Sequence, residues 1–391
     1  MMILIDKPYI SEFLLRTILT NEIPVIDTEI AREMCTAKKI HFIPGEDAVR
    51  RFKNKPNTRL YSNSENAIAW IKENLSFTDL PEKIDLFKDK ARFRQMMKKF
   101  YPDYFYHTFP FSEIKSLSVK DIPKPFIIKP SVGFFSMGVS RVDSDAEWEH
   151  IRKNLTAEMK AVQNIYPPEV MDNTHFLIEE FIPGEEYAVD CYYDETGNPV
   201  ILNIMKHIFG GEKDVSDRVY FTSREVIREA LLPAGAFLEK MGKTAGLKKF
   251  PVHAELRMDT DGTIIPVEIN PMRFGGWCST ADMASYAYDF NPYEYYFQNK
   301  KPDWEEILQQ ANDDLYSIII LDNNSGISQD KIVAFDYNKL VSEFKSPLEL
   351  RKVDYHEYPV FAFLFTRTAK SNIAELENIL TSNLRNYIVT R

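Results

Sequence analysis

The chain has only three cysteines in 391 residues, Cys35, Cys191 and Cys278, and they are scattered with no metal-ligand spacing. That excludes a disulfide framework and makes a reducing cytoplasm the expected compartment. No apolar run approaches the ~20 residues that a membrane helix requires. The opening MMILIDKPYI has no basic stretch followed by a long apolar segment, so no secretory leader and no membrane partner are expected. Positive charge is in deficit, since 48 Lys and Arg against 58 Asp and Glu leave a net charge of -10. A general nucleic-acid surface is therefore not expected, although a local basic pocket for a phosphorylated ligand is compatible with that balance. No GxGxxG follows the first apolar stretch, so the dinucleotide fingerprint is missing. What is present is an ordinary globular composition, 44% hydrophobic and 27% charged, in a chain long enough for two or three domains.

Alternating elements run through the chain without internal repeats. MMILID reads as a short buried strand, SEFLLRTIL as a helix, IPVID as a strand and ENAIAWIKENL as a helix, which together predict a small α/β domain over residues 1–85. One helical stretch follows, DLFKDKARFRQMMKKF, whose Lys88, Lys90, Arg92 and Arg94 read by spacing alone as a solvated face. From residue 125 the pattern is β-rich, with hairpins expected at 125–142, 175–207 and 251–270 and helices at 145–163 and 224–246. Residues 86–312 form the expected central domain. Residues 313–391 read as a small α+β module, with strands in LELRKVDY and VFAFLFTRTA and a closing helix in NIAELENILTSNLRNYI. The class is α/β combined with α+β.

Three stretches carry chemistry. In PVHAELRMDTDGTIIPVEINP, Asp261-Gly262 is a strong hairpin signal, and a two-residue loop there sets Glu255 opposite Glu268 and His253 opposite Asn270. Period-two alternation then puts Val267 and Ile269 on the far face. Like charges directly opposite destabilise a sheet. Two readings stand: a hard cation such as Mg²⁺ bound by the two carboxylates and the amide oxygen, or neutralisation of the pair by Arg257 or Arg273. In PFIIKPSVGFFSMGVSRV, a buried strand delivers Lys129 to a loop bearing Ser131, Gly133, Ser136 and Gly138, which suits a phosphate flap and equally an ordinary turn. It is not a Walker loop, because Val139 and Ser140 follow Gly138. In FLIEEFIPGEEYAVDCYY, the Glu179-Glu180-Phe181-Ile182 segment before Pro183-Gly184 offers backbone groups to a purine edge, and Glu186 offers a carboxylate to ribose hydroxyls.

In order and spacing these stretches resemble the ATP-grasp superfamily of carboxylate-amine ligases, over roughly residues 85 to 300. The resemblance implies an ATP-grasp fold, an N-terminal domain of the kind that precedes it, and ATP with Mg²⁺, or Mn²⁺, as cofactors. It implies Lys90 and Lys129 as the two phosphate lysines, Ser131 to Gly138 as the flap, Glu179 to Ile182 as the adenine hinge and Glu186 as the ribose ligand. Glu255, Glu268 and Asn270 fall at the metal positions. Arg273, one residue later than usual, and His253 fall where acceptor-side catalytic groups stand. The implied activity joins a small-molecule carboxylate, activated as an acylphosphate, to an amine, in a chain that can form homo-oligomers. Phosphorylation of a hydroxyl by an ATP-grasp kinase and nonenzymatic nucleotide binding are the alternatives. The acceptor pocket is expected in residues 210–221 and 273–283, with Tyr220, Phe221, Phe274 and Trp277 pointing to a partly apolar substrate and Arg218 or Arg273 to a clamped carboxylate. Lys206 and His207 are further candidates for contact with phosphate or substrate.

Overall fold

Met2, Ile3, Leu4 and Ile5 are buried because the strand they open is covered on both faces, the situation in which a strand reads as an unbroken apolar run. In the computed structural model, which describes residues 1–37, 39–55, 58–133, 138–161, 172–211 and 216–391, this strand, β1 (Met2–Leu4), belongs to a parallel sheet. With β2 (Val25–Ile26), β3 (Phe42–Ile43) and β4 (Leu60–Ser62) it forms the order β3-β2-β1-β4. Helices α1 (Glu12–Thr20), α2 (Glu29–Met34) and α3 (Gly45–Asn54) make the crossovers. Ser11 and Thr28 cap the first two by accepting the N–H groups of Leu14 and Ala31, each at 3.0 Å.

After α4 (Ile68–Asn74), the single helix expected across DLFKDKARFRQMMKKF is two, α5 (Leu80–Lys88) and α6 (Lys90–Met97). They break at Asp89, whose carboxylate accepts the N–H groups of Ala91 at 2.9 Å and Arg92 at 3.3 Å. The break also corrects the solvated-face reading. Lys88, Lys90 and Arg94 turn inward and are buried, and Arg92 alone of the four stays at the surface.

A four-stranded antiparallel sheet follows. It contains β5 (Tyr106–Pro110), β6 (Phe126–Val132), β7 (Ser140–Val142) and β8 (Asp172–Glu180) in the order β5-β8-β6-β7. Helix α7 (Asp145–Ala161) brings Trp148, Leu155 and Met159 to its core beside Phe126 and Phe176. The 125–142 hairpin is present as β6 and β7, but the one expected over 175–207 is not. β8 stays with β5 and β6, and after Pro183-Gly184 the chain crosses to another sheet as β9 (Glu185–Tyr193), which pairs with β10 (Pro199–Ile208). Gly184 makes the crossing possible: it has φ 103°, and a Cβ there would lie 2.4 Å from the Met258 carbonyl oxygen.

The second sheet adds β11 (Val219–Thr222), β12 (Phe250–Met258), β13 (Ile264–Pro271) and β14 (Leu315–Asp322). Beyond β15 (Ile332–Phe335), which pairs elsewhere, come β16 (Pro347–Lys352) and β17 (Val360–Thr368). Its order is β13-β12-β9-β10-β11-β14-β17-β16, antiparallel throughout, so strands from residues 313–391 extend the same sheet as β9 to β13. The expected closing helix stops at Thr381. A short turn of 3₁₀ helix capped by Asn383 and a last strand, β18 (Ile388–Thr390), complete the chain. Helix α8 (Arg224–Ala245) covers the sheet face that carries Val189, Cys191, Ile204, Val252 and Ala254. The alternate residues of the same strands face the other way, and they form the floor of the site.

The β12–β13 hairpin reaches the expected register by an unexpected route. Its loop has three residues, Thr260 to Gly262, with Gly262 at φ 81° and the Asp259 carboxylate accepting the N–H groups of Asp261 and Thr263. That displaces the register by one residue, and a bulge at Val267 restores it, because Leu256 pairs with Pro266 while Glu255 pairs with Glu268. The bulge turns Val267 onto the same cavity as Glu268, against the alternation expected from the sequence. Arg94 stabilises it by donating to the carbonyls of Pro266 at 2.6 Å and Val267 at 3.2 Å.

Candidate active site

One cavity of about 830 Å³ lies between the two sheets and reaches the N-terminal layer. Its floor is a row of cross-strand partners: Arg257 faces Glu186, His207 faces Tyr220, and Tyr220 faces Ile318. The Nδ1 of His207, 3.3 Å from Glu186, joins the two halves of the row. Beside it, Glu255 and Glu268 are paired on adjacent strands, and His253 and Asn270 form the next pair.

The two carboxylates are not equivalent. Lys90 lies 3.1 Å from Glu268, and although burial pushes that carboxyl up, Lys90, Lys88 and Lys129 outweigh it and hold it below its usual value. Glu255 is pushed well above the carboxylate range, first by burial and then by Glu268, Asp217 and Glu186. Neither arginine neutralises the pair by direct contact. Arg257 donates to Glu186 at 2.9 Å, and Arg273 donates to Glu65 at 2.6 Å. The amide of Asn270 is best satisfied with its nitrogen toward Glu65 at 2.7 Å and Glu268 at 3.2 Å, which turns its oxygen toward Glu255. Three oxygen donors of this kind fit a hard cation.

On the opposite wall, Lys129 of β6 contacts Glu179 at 2.6 Å, and Arg94 holds the same carboxylate with contacts of 2.5 and 3.1 Å. Burial raises Glu179, but Arg94 and Lys129 overcome this and bring it down to about 2. Lys129 is itself pulled below the usual lysine range by burial and by Arg94 and Lys90, with Glu179 offsetting only part of it. One carboxylate shared by two cations satisfies Arg94 and leaves positive charge in excess around Lys129. Lys90 reaches the Gly133 carbonyl at 3.4 Å. Gly133 lines the cavity, Ser131 is buried beside it on β6, and the Gly138 N–H donates to Glu158 at 2.9 Å. Ser136 lies outside the described residues.

At the hinge, Glu180, Phe181 and Ile182 all line the cavity. The Glu180 N–H is committed to the Phe105 carbonyl at 3.1 Å and that of Phe181 to Pro125 at 3.2 Å, whereas among the described residues the Ile182 N–H takes no bond. Phe181 sits between the guanidinium groups of Arg141 at 4.3 Å and Arg257 at 5.1 Å from its ring centre. Glu186 is buried and accepts from Arg257 and His207, whose pull outweighs burial and lowers its carboxyl.

The acceptor-side candidates divide. His253 lines the cavity with its Nδ1 2.7 Å from Asp190, which also accepts the Gly275 N–H at 2.9 Å and the Thr280 hydroxyl. Arg273 lines it too, but its guanidinium is held by Glu65, which also pairs with Lys88. Tyr220 and Trp277 line the cavity, whereas Phe274 is in the core, Phe221 packs at its edge and Arg218 pairs with Asp322. Strand alternation separates the other two candidates: His207 faces in, and Lys206 faces out toward Glu185 and Glu229. Sequence reading missed Glu65, Asp190 and Arg94 as organisers of the site. Asp190 had a signal, since Glu186, Ala188 and Asp190 share one face of β9 and a carboxylate in so apolar a strand needs partners. No helix among the described residues is long and apolar enough to cross a membrane.

Residues 122–281 match the ATP-grasp domain family. No curated protein sequence matches the chain significantly. Among solved structures, an L-amino acid ligase from Bacillus licheniformis aligns over 100% of this chain and 98% of its own, at 17% identity and a TM-score of 0.68. A biotin carboxylase from Campylobacter jejuni aligns over 100% and 91%, at 13% identity and 0.64. An N5-carboxyaminoimidazole ribonucleotide synthetase from Thermotoga maritima aligns over 100% and 99%, at 12% identity and 0.58. At these identities the likeness is one of fold.

Proposed function

The chain carries an ATP-grasp domain within an ATP-grasp fold, and on that premise we propose that it is an ATP- and Mg²⁺-dependent ligase joining a small-molecule carboxylate to an amine. The observation that carries the reading is a pair of opposite charge imbalances in one cavity. Lys129 and Arg94 share the single carboxylate of Glu179 on one wall, and Glu255 faces Glu268 across the hairpin on the other; burial first, and then these like-charged neighbours, disfavour the charged forms of Lys129 and Glu255. A polyanion that brings its own divalent cation relieves both, and Mg·ATP is such a ligand.

In this reading Glu255, Glu268 and Asn270 would hold Mg²⁺, which would supply positive charge to offset that of the phosphates. Lys90 and Lys129 bind the phosphates from the other wall and face the charge that spreads over the transferred phosphoryl group. The Ile182 N–H meets the adenine edge, and Glu186 accepts from the ribose hydroxyls. A substrate carboxylate attacks the terminal phosphorus of ATP and expels ADP to give an acylphosphate, and an amine then adds to its acyl carbon, gives up a proton and expels inorganic phosphate to form the amide. His253, oriented by Asp190, and Arg273 stand on the acceptor side, where an oxyanion develops.

Phosphate release with Mg·ATP and a panel of small acids and amines tests this. Recovery of an amide with ADP and phosphate supports ligation, and a phosphorylated hydroxyl with no free phosphate assigns the kinase reading instead. Tight Mg·ATP binding without turnover on any substrate reduces the function to nucleotide binding. Lys129→Ala is expected to weaken Mg·ATP binding by roughly tenfold or more, about 1.4 kcal/mol; unchanged calorimetric affinity removes Lys129 from the site.

A further inference from the structure

The cavity floor changes character along its length. From Arg257 and Glu186 it passes through His207 and Tyr220, and it ends on strands of residues 313–391 with Ile318, Ile320 and Phe363. Ile320 pairs with Phe363 in the sheet, and alternation keeps Ser317, Ile319 and Leu321 on the opposite face, where Ile319 and Leu321 fill a separate core. Ile318 and Ile320 thus point toward the cavity, although on this sheet face no residue of β14 is needed for a metal, a phosphate or a base. Trp277 closes the same end, its ring 5.3 Å from Phe363 and 5.0 Å edge-on from Tyr358. Ile320, Tyr358 and Tyr220 are only partly covered, so apolar surface is left facing the cavity. At the border of the two halves, His207 stacks on Tyr220 at 4.2 Å, and its buried Nε2 has no hydrogen-bond partner among the described residues.

We propose that this end of the cavity is a subsite for a bulky apolar group, aromatic or branched aliphatic, of the substrate that is ligated, and that Ile318 and Ile320 set its size. The proposal rests on the ligase reading for its chemistry, since it names the class of acid or amine that the site takes. The substrate's polar head lies on the His207 side and its apolar group lies on β14 and β17. Burial of that group removes apolar surface from water on both partners, and a polar or charged side chain placed there loses its hydration with nothing to replace it. Residues 313–391 then have a definite task, because they supply the specificity wall of a site whose charged groups all come from earlier in the chain.

Two measurements on the full-length protein test this together: calorimetric titration with glycine, leucine, phenylalanine and glutamate in the absence of ATP, and Mg·ATP-dependent phosphate release with the same four. Leucine or phenylalanine is expected to exceed glycine and glutamate by at least about tenfold in affinity and in kcat/KM, the scale of a few methylene groups in an apolar pocket. Ile320→Trp, which fills the subsite, is expected to collapse that ratio by at least about tenfold, and Ile320→Ala to shift preference toward the larger side chain. Selective binding of the apolar amino acids without turnover keeps the subsite and overturns the ligase reading. Turnover of glycine or glutamate at rates equal to leucine, or a ratio unmoved by Ile320→Trp, keeps the ligase reading and overturns the subsite. Neither binding nor turnover overturns both.

Discussion

Glu255 and Glu268 face each other in the sheet, yet substitution at the two positions is expected to act in opposite directions. Glu255 is the carboxyl whose charged form burial and its neighbours disfavour, so Glu255→Gln substitutes a neutral group where a neutral group is favoured and should leave the ligand-free protein as stable or raise it by about 1 kcal/mol. Glu268 is paired with buried Lys90 at 3.1 Å, and Glu268→Gln strands that lysine at a cost of roughly 1–3 kcal/mol. Both should lose Mg·ATP-dependent turnover. Thermal unfolding without nucleotide separates them, and equal shifts for the two variants contradict the asymmetry. A second residue-scale consequence concerns acid. Glu179 goes from an ordinary 4.5 down to about 2 in the folded protein, which at about 1.4 kcal/mol per pH unit is on the order of 3 kcal/mol. A depressed carboxyl stabilises above its unfolded value, so this contribution is complete above about pH 4.5 and is lost as pH falls toward 2. Denaturant titrations between pH 5 and 2.5 should show that slope, and Glu179→Gln should be less stable at pH 7 and lose less on acidification. The carboxylates at 255 and 268 were legible in the sequence because they lie on one hairpin. Arg94 was not, because its partner Glu179 is 85 positions away and a buried charge has the same one-letter code as a solvated one.

At the scale of the element, the β12–β13 hairpin shows how a correct expectation can rest on a wrong turn. The Asp-Gly pair predicts a two-residue loop, the chain uses three residues, and the bulge at Val267 restores the pairing of Glu255 with Glu268. No residue of VEINP announces that bulge, since it is fixed by Arg94 from another element binding the carbonyls it frees. The loop after β13 was legible in part as a site of polar and glycine residues, but not its backbone: Met272, Trp277 and Cys278 all have positive φ. Each such non-glycine residue costs roughly 1–2 kcal/mol and persists only where neighbours over-determine it. Met272 is held by its N–H to the Pro251 carbonyl at 2.8 Å and its carbonyl to the Ser62 N–H, and the Trp277 turn is held from β16, whose Arg351 donates to the Trp277 carbonyl at 3.1 Å and to Asp282 at 2.7 Å on α9 (Ser279–Tyr288). Arg351→Met should therefore destabilise the protein by roughly 3–5 kcal/mol, leaving the buried Asp282 with the Tyr293 hydroxyl but without its cationic partner. Adding Asp282→Asn should recover much of that stability but not turnover, because the turn bearing Trp277 still lacks its anchor. Denaturation and phosphate-release assays on the single and double variants decide it, and full activity in the double variant removes Arg351 from any positioning role.

At the scale of the whole molecule, the sequence divides into three stretches more readily than the structure does. The shift near residue 313 was visible as a change of pattern, but sheet order is a non-local property, and nothing in DDLYSIIILD states that it will pair along β11. Once it does, the sheet runs without a break from β13 to β16, and the core beneath β14 and β17 includes Val219 of β11. The N-terminal layer is tied in just as firmly. Arg59 reaches Asn299 at 2.6 Å, Ser62 donates to the Met272 carbonyl at 2.9 Å, and Tyr61 packs among Phe274, Tyr293 and Tyr296. Shared strands and shared aromatic packing make partial unfolding costly, so the chain is expected to unfold as one cooperative unit, with calorimetric and van't Hoff enthalpies in agreement. A chain ending at residue 312 tests the same coupling more severely. It leaves β11 as an unpaired edge, exposes Val219 and Tyr220, and deprives the Trp277 turn of Arg351, a combination that favours edge-to-edge association over folding. We expect that truncated chain to be insoluble or to elute as aggregate with no Mg·ATP binding. A soluble, monomeric residue 1–312 fragment that still binds Mg·ATP would show instead that the nucleotide half of the cavity stands alone and that the C-terminal strands are an attachment to it.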